Sequence, residues 1–144
     1  MNLIAWSQNM TPKAAEAAGA IWVSKNELFE QADILTIHVV LSSRTRGLIG
    51  GAELARMKPT ARLINTSRGP IVEERALISV LKNKQIAGAA IDVFDVEPLP
   101  PDHPFRALDN ILATPHIAYV SQGLYKTFYE DTVSNIRKWL DKAR

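Results

Sequence analysis

The sequence contains no cysteine, which excludes disulfides, thiol nucleophiles and thiolate-bound metals. Its three histidines, His38, His103 and His116, are too scattered to suggest a structural zinc site, and no metal is expected. No apolar run approaches the roughly 20 residues that a membrane-spanning helix requires. Met1 leads into a strand-like stretch with neither a charged n-region nor a small-residue cleavage site. A soluble, cytoplasmic protein is expected. Neither sign of charge dominates: 17 Lys and Arg against 15 Asp and Glu give a formal net charge of +2. These charges are spread along the chain, so there is no footprint for nucleic acid or for a membrane surface.

What is present is apolar material in a regular alternation. With 144 residues, 47% of them hydrophobic, the chain can bury a core as one globular domain. Asn2–Trp6 reads as a short strand. Thr11 offers an N-cap with Pro12 at the first helical position, and Gly19 closes that helix. Ala20–Val23 is a second short strand, and Ser24 with Glu27 forms a capping box for the next helix. Asp33–Val40 is a β-branched run of the kind found in strands covered on both faces. A short helix follows around Ala52–Met57. Ala61–Ser67, Gly88–Phe94 and Asn110–Pro115 read as further strands. Glu73–Gln85 is an amphipathic helix with Ala76, Leu77, Val80 and Leu81 at helical spacing. A long helix from Ser121 to about Lys142 has Phe128, Val133, Ile136 and Leu140 as expected buried positions. Strands alternating with helices in this way imply right-handed crossovers and an α/β, doubly wound parallel sheet.

In such a sheet, ligands bind beyond the carboxyl ends of the strands. Three ionisable residues fall there: Arg68 after the fourth predicted strand, Glu97 after the fifth and His116 after the sixth. A guanidinium grips a carboxylate through two parallel charge-assisted hydrogen bonds. An imidazole, titrating near neutrality, can take a proton from an alcohol or return it to a carbonyl. A carboxylate on the other ring nitrogen would fix the tautomer and favour the charged ring. This set suits oxidation of a hydroxy acid by hydride transfer, for which no side chain serves as acceptor and a cofactor is needed.

The segments NTSRGPIVEERALISVLKNKQIAGAAIDVFDVEPLPPDHP and NILATPHIAYVS resemble the D-isomer-specific 2-hydroxyacid dehydrogenase family, nicotinamide-dependent enzymes related to phosphoglycerate, glycerate and formate dehydrogenases. The resemblance implies a Rossmann-like fold, with Arg68 binding the substrate carboxyl, His116 as acid/base and Glu97 as its support. It further implies that Asp92 lies near the nicotinamide carboxamide and that Thr66 and Ser67 line the cofactor. The turn His116, Ile117, Ala118, Tyr119 would close over the nicotinamide end, and His38 and Val39 would sit beside the adenosine. Phe105, Leu108 and Tyr119 could form one wall of the substrate pocket, although Phe105 and Leu108 also suit plain packing. Ser7 occupies the place where many relatives carry an acidic residue for the adenine-ribose hydroxyls, so NAD is favoured over NADP only slightly. Val40 stands where the family usually has proline.

The G-x-G-x-x-G fingerprint, which brings backbone N–H groups to a pyrophosphate, does not occur in this sequence. Residues 1–144 therefore read as a partial dinucleotide-binding domain that starts at its second strand, with 121–142 the helix that in relatives leads back to a substrate domain. In the strand order 3-2-1-4-5-6, an absent first strand leaves two strand spacings, roughly 9 to 10 Å, between Asn2–Trp6 and Asp33–Val40. The expected outcomes are closure of these two strands onto each other, exchange of elements between two chains, or a displaced N-terminal piece. A homodimer or a domain-swapped assembly, to which the long helix contributes, is favoured, and weak or absent catalysis by the isolated chain is expected. The rival reading is a non-catalytic dinucleotide-binding or oligomerisation module, as in the NAD-binding transcriptional corepressors that share this resemblance.

Overall fold

The computed structural model describes residues 1–142. The chain runs β1 (Ile4–Ala5), α1 (Pro12–Ala17), β2 (Ile21–Trp22), α2 (Lys25–Gln31), β3 (Ile34–Ile37), α3 (Gly51–Leu54), β4 (Arg62–Asn65), α4 (Glu74–Lys82), β5 (Gly88–Ile91), β6 (Ile111–Ala113) and α5 (Gln122–Lys142). Local signals start the helices. The Thr11 hydroxyl accepts the Ala14 N–H at 3.2 Å ahead of α1. At α2 the Ser24 hydroxyl accepts Glu27 N–H at 3.3 Å while the Glu27 carboxylate accepts Ser24 N–H at 2.8 Å, so two end amides that no helical carbonyl can reach are satisfied.

All strand pairs are parallel, in two separate sheets: β1 with β2, and β3-β4-β5-β6 in that order. The architecture is the expected α/β, Rossmann-like arrangement with the sheet interrupted between β1 and β3. Closure of β1 onto β3 does not occur. With two residues in β1 and four in β3, the ladder that such closure would need is short, and β1 instead spends its hydrogen bonds on β2.

The core lies between one face of the four-stranded sheet and helices α2, α3 and α4. Leu35, Ile37, Leu63, Ala89 and Ile91 from the strands meet Phe29, Leu54, Leu77, Val80 and Leu81 from the helices. Ala76 is partly buried against the same cluster. The opposite face is open, contrary to the expectation that β3 is covered on both sides: Ile34 is 57% exposed and Leu112 on β6 65% exposed, while Leu35 and Ile37 are buried. The β-branched composition of β3 suits burial on both faces, but α2, α3 and α4 pack on only one of them.

Helix α5 departs further from expectation. Phe128, Val133, Ile136 and Leu140 are all exposed, and no residue of α5 is buried. Its spacing reports an amphipathic helix correctly, but the apolar side stays exposed. The strands are also shorter than the apolar runs that announce them, because the flanking residues turn into loops at the sheet's carboxyl rim.

Candidate functional site

The carboxyl ends of β4, β5 and β6 are neighbours in the sheet, and this delivers Arg68, Glu97 and His116 from separate loops to one rim. After β4 the chain makes a tight turn built by Asn65. This side chain is 1% exposed; its Oδ1 accepts the Ser67 N–H at 3.0 Å and its Nδ2 donates to the Arg68 carbonyl at 3.0 Å. A buried amide needs partners at both ends, and here the partners are the turn itself. The Ser67 hydroxyl donates to the Ile37 carbonyl at 2.9 Å, tying the turn to β3. Gly69 completes it: a Cβ there would overlap the Phe94 carbonyl and stand 2.7 Å from the Asp95 nitrogen. Only glycine allows the Arg68 loop to lie against the loop that carries Glu97.

Arg68 is exposed, and its Nη1 donates to the Ser67 carbonyl at 2.6 Å. Its positive charge reaches the Glu97 carboxylate and lowers its pKa. Glu97 Oε1 accepts the Phe94 N–H at 2.9 Å, and Oε2 lies 2.7 Å from Nδ1 of His116. The hydrogen bond from His116 is the main reason the Glu97 carboxyl is held below its ordinary value, with the Phe94 amide next; partial burial opposes both. A carboxylate can only accept, so Nδ1 of His116 carries the hydrogen and Nε2 is left to give or take a proton.

His116 has left-handed backbone geometry, φ 56°, which is uncommon for a residue with a side chain. Asp92 holds it there. This residue follows β5 and is 4% exposed. Its Oδ1 accepts the Thr114 hydroxyl at 2.6 Å and the Ile117 N–H at 2.9 Å, and its Oδ2 accepts the Ala118 N–H at 2.9 Å. Burial alone would raise the Asp92 pKa, but these three donors, together with the His116 ring, hold it below the ordinary carboxylate range. Asp92 thus ties down the loop on which His116 sits. Asn65 and Thr114 were not among the sequence candidates. The signal for Asn65 is an asparagine two residues before a turn serine, where its side chain closes an Asx turn; the partnership of Thr114 and Asp92 spans 22 residues and leaves no local trace.

The remaining candidates divide. Thr66 is exposed beside Ser67 at the same rim, and so are Ala118 and Tyr119 on the His116 loop, where the Tyr119 ring lies 6.5 Å from that of Phe128. His38 follows β3 on the same rim with Nε2 2.9 Å from the Thr36 hydroxyl, and Val39 packs on the core. Ser7 follows β1, in the other sheet, and its carbonyl accepts the Met10 N–H at 3.1 Å. Phe105 is buried in the core and Leu108 packs against it, which makes both packing residues. The groups left free at the rim are those of Arg68 and the His116 ring, with Thr66, Ala118 and Tyr119 exposed beside them. Among the described residues no group of three or more His, Asp or Glu could hold a metal ion, and no helix is long and apolar enough to cross a membrane.

Residues 1–118 match the family profile described as D-isomer specific 2-hydroxyacid dehydrogenase, NAD binding domain. A glyoxylate reductase from Thermofilum pendens is 54% identical over 91 residues, covering 63% of this chain and 27% of that protein. The crystal structure of a phosphoglycerate oxidoreductase from Vibrio cholerae O395 superposes with a TM-score of 0.88 at 33% identity, covering 99% of this chain and 46% of that one. A D-isomer specific 2-hydroxyacid dehydrogenase from Xanthobacter autotrophicus, in complex with NADPH and MES, superposes with a TM-score of 0.63 at 43% identity over 65% of this chain and 30% of that one. The chain spans less than half the length of each of these relatives.

Proposed function

This chain belongs to the D-isomer specific 2-hydroxyacid dehydrogenase family, and from that membership we propose that it is part of the nicotinamide-dinucleotide-binding domain of an oxidoreductase acting on small 2-hydroxy and 2-keto acids. The observation that carries this reading is the convergence of Arg68, Glu97 and His116 on one rim, with His116 Nδ1 occupied by Glu97 at 2.7 Å. The dinucleotide, when bound, supplies the hydride acceptor or donor. Arg68 orients the substrate carboxylate. His116 Nε2 takes the hydroxyl proton in oxidation and returns it to the carbonyl oxygen in reduction. Glu97 keeps the ring in the tautomer that leaves Nε2 free, and favours the charged form that follows proton uptake.

The cofactor is NAD or NADP, with NAD slightly favoured. Ser7 and His38 with Val39 serve the adenosine side; Thr66, Ser67, Arg68, Asp92, His116, Ala118 and Tyr119 serve the nicotinamide side. The protein is cytoplasmic and homodimeric, and no metal takes part. Residues 1–144 act as the partial dinucleotide domain, with 121–142 as its terminal helix. Exclusion of water, on which hydride transfer depends, is poor at a rim where Arg68 and Glu97 are exposed. The 144-residue chain alone is therefore expected to turn over weakly or not at all.

Titration of the chain with NADH and NADPH, followed by nicotinamide fluorescence, tests the binding half of this reading. Saturable binding that weakens in Thr66→Ala supports it, and no binding at millimolar cofactor would refute it. Assays with glyoxylate, hydroxypyruvate and pyruvate test the chemistry, where any turnover must vanish in Arg68→Ala. Binding without turnover in any setting favours the dinucleotide-binding module instead.

A further inference from the structure

We propose that His103, held by Glu74, is a positioning residue for the acid/base pair: through Phe105 and Phe94 it fixes the loop that sets Glu97 against His116. The chemistry served is that of the preceding reading, on which this rests.

Glu97 stands on a segment between β5 and β6 whose one regular piece is the single-turn 3-10 helix Pro104–Ala107. An irregular segment aims a carboxylate only if its backbone is held by further contacts. The nearest is the Phe94 N–H, 2.9 Å from Glu97 Oε1. Phe94 is 6% exposed, its carbonyl backs onto Gly69, and its ring stands 6.3 Å from that of Phe105. One phenylalanine thus lies between the Arg68 turn and Glu97, with Phe105 as its neighbour in the core.

Phe105 is placed by His103. Nδ1 of His103 accepts the Phe105 N–H at 3.2 Å, and the two rings lie 4.8 Å apart, within the range of direct aromatic contact. Because Nδ1 accepts, the ring hydrogen sits on Nε2, which donates to Glu74 Oε1 at 3.0 Å. Glu74 is the first residue of α4, so this bond ties the loop to a helix that packs on the core. The His103 side chain is 13% exposed and that of Glu74 23%; a charge-assisted bond shielded from water in this way is stronger than its surface counterpart. Asp95, next in the chain to Phe94, senses the pair: burial and then the Glu74 charge raise its carboxyl pKa, against Arg46 and His103.

The two histidines are used in opposite senses. His116 gives its Nδ1 hydrogen to Glu97 and keeps Nε2 free, whereas both nitrogens of His103 are engaged within the protein. His103 therefore has no nitrogen to offer a substrate, and what it does is hold the loop.

Nitrogen shifts of the His116 ring, recorded on the 144-residue chain without cofactor or substrate, test the proposal. The parent should show the Nδ1–H form dominant. Glu74→Ala unties the loop, and so does His103→Asn, whose shorter amide can accept from Phe105 but cannot reach Glu74. In both, the ratio of Nδ1–H to Nε2–H at His116 should fall about threefold or more, the effect of weakening one hydrogen bond. The Glu97 carboxyl, held low by the His116 ring and the Phe94 amide, should titrate higher in both. Glu74→Gln keeps an oxygen that accepts from Nε2 and should retain the parent ratio. Val80→Ala, on the buried side of the same helix, loses stability by leaving a cavity and should retain it too, which separates positioning from folding. Glu74 is partly exposed, so its two variants carry the test even if His103→Asn does not fold. Parent-like His116 and Glu97 signals in Glu74→Ala, a Glu74→Gln chain that behaves as Glu74→Ala does, or a Val80→Ala chain that loses the parent ratio overturns the proposal. No cofactor enters these measurements, so the NADH titration can fail while the placement stands, and the reverse.

Discussion

The carboxylate of Glu97 stands 2.7 Å from Nδ1 of His116 although 19 residues of chain separate them. The contact is possible because the loops after β5 and β6 leave adjacent strands in the same direction. It fixes which ring nitrogen faces solvent, and the chemistry assigned to His116 depends on that choice.

Glu97→Gln therefore changes a tautomer before it changes anything else. Nitrogen chemical shifts of the His116 ring should show the Nδ1-protonated form dominant in the parent chain and a mixture in the variant. In any context where turnover is measurable, the rate should fall about 10- to 100-fold, up to the lower bound of what a general acid/base contributes, because the ring itself remains. A dominant Nε2-protonated ring in the parent chain would remove the role given to Glu97.

Asp92 links the same loop to acid stability. Its folded pKa lies below the ordinary carboxylate value, so the stabilisation it gives is complete above the unfolded value of about 3.9 and disappears as pH falls through the depressed folded value. Urea unfolding of Asp92→Asn should show a shallower loss of stability below about pH 4 than the parent, since one such carboxyl has been removed. Asp92→Ala leaves the Ile117 and Ala118 amides and the Thr114 hydroxyl without their acceptor, at a cost of about 3 kcal/mol or more at neutral pH, from the lower end of the penalty of about 1–3 kcal/mol for each of three unsatisfied groups. A loss below 1 kcal/mol would mean that water replaces the carboxylate freely.

Gly69→Ala and Gly51→Ala form a matched pair. At Gly69 the added methyl meets backbone of residues 94 and 95, whereas at Gly51 it meets nothing within 4 Å. The first should destabilise by about 3 kcal/mol or more, at the upper end of overpacking costs, and the second should be neutral or stabilise by about 0.5 kcal/mol through reduced unfolded-state freedom. Comparable thermal midpoints for the two variants would show that the Arg68 loop does not depend on this close approach.

The place proposed for Ser7, beside the adenosine, can be tested through cofactor choice. A carboxylate at such a place would accept hydrogen bonds from ribose hydroxyls and repel a ribose phosphate. Ser7→Asp should therefore raise the NADH over NADPH affinity ratio about tenfold or more, which corresponds to about 1.4 kcal/mol. An unchanged ratio would remove Ser7 from the adenosine site.

How much of this was legible follows from the range of the interactions. Caps act over three residues, so Thr11 and the Ser24 and Glu27 pair announced α1 and α2 in the sequence. The parallel order of β3 to β6 follows from alternation with helices, and Arg68, Glu97 and His116 could be placed at its rim because each lies in the loop that follows a strand. What bound that rim together could not be read, since Thr114 and Ile117 reach Asp92 across 22 and 25 residues. Periodicity marked the apolar side of α5 but not whether anything covers it: a repeat of 3.6 residues describes the helix, whereas burial also requires a partner.

The left-handed backbone at His116 has a consequence for mutational scanning. Glycine and asparagine enter that conformation with little penalty, while valine or isoleucine must strain the loop as well as delete the imidazole. A saturation library at this one codon will consequently sort its variants twice, by folded yield according to backbone tolerance and by turnover according to the ring. The glycine variant, well folded and chemically silent, is the proper blank against which every other replacement should be scored.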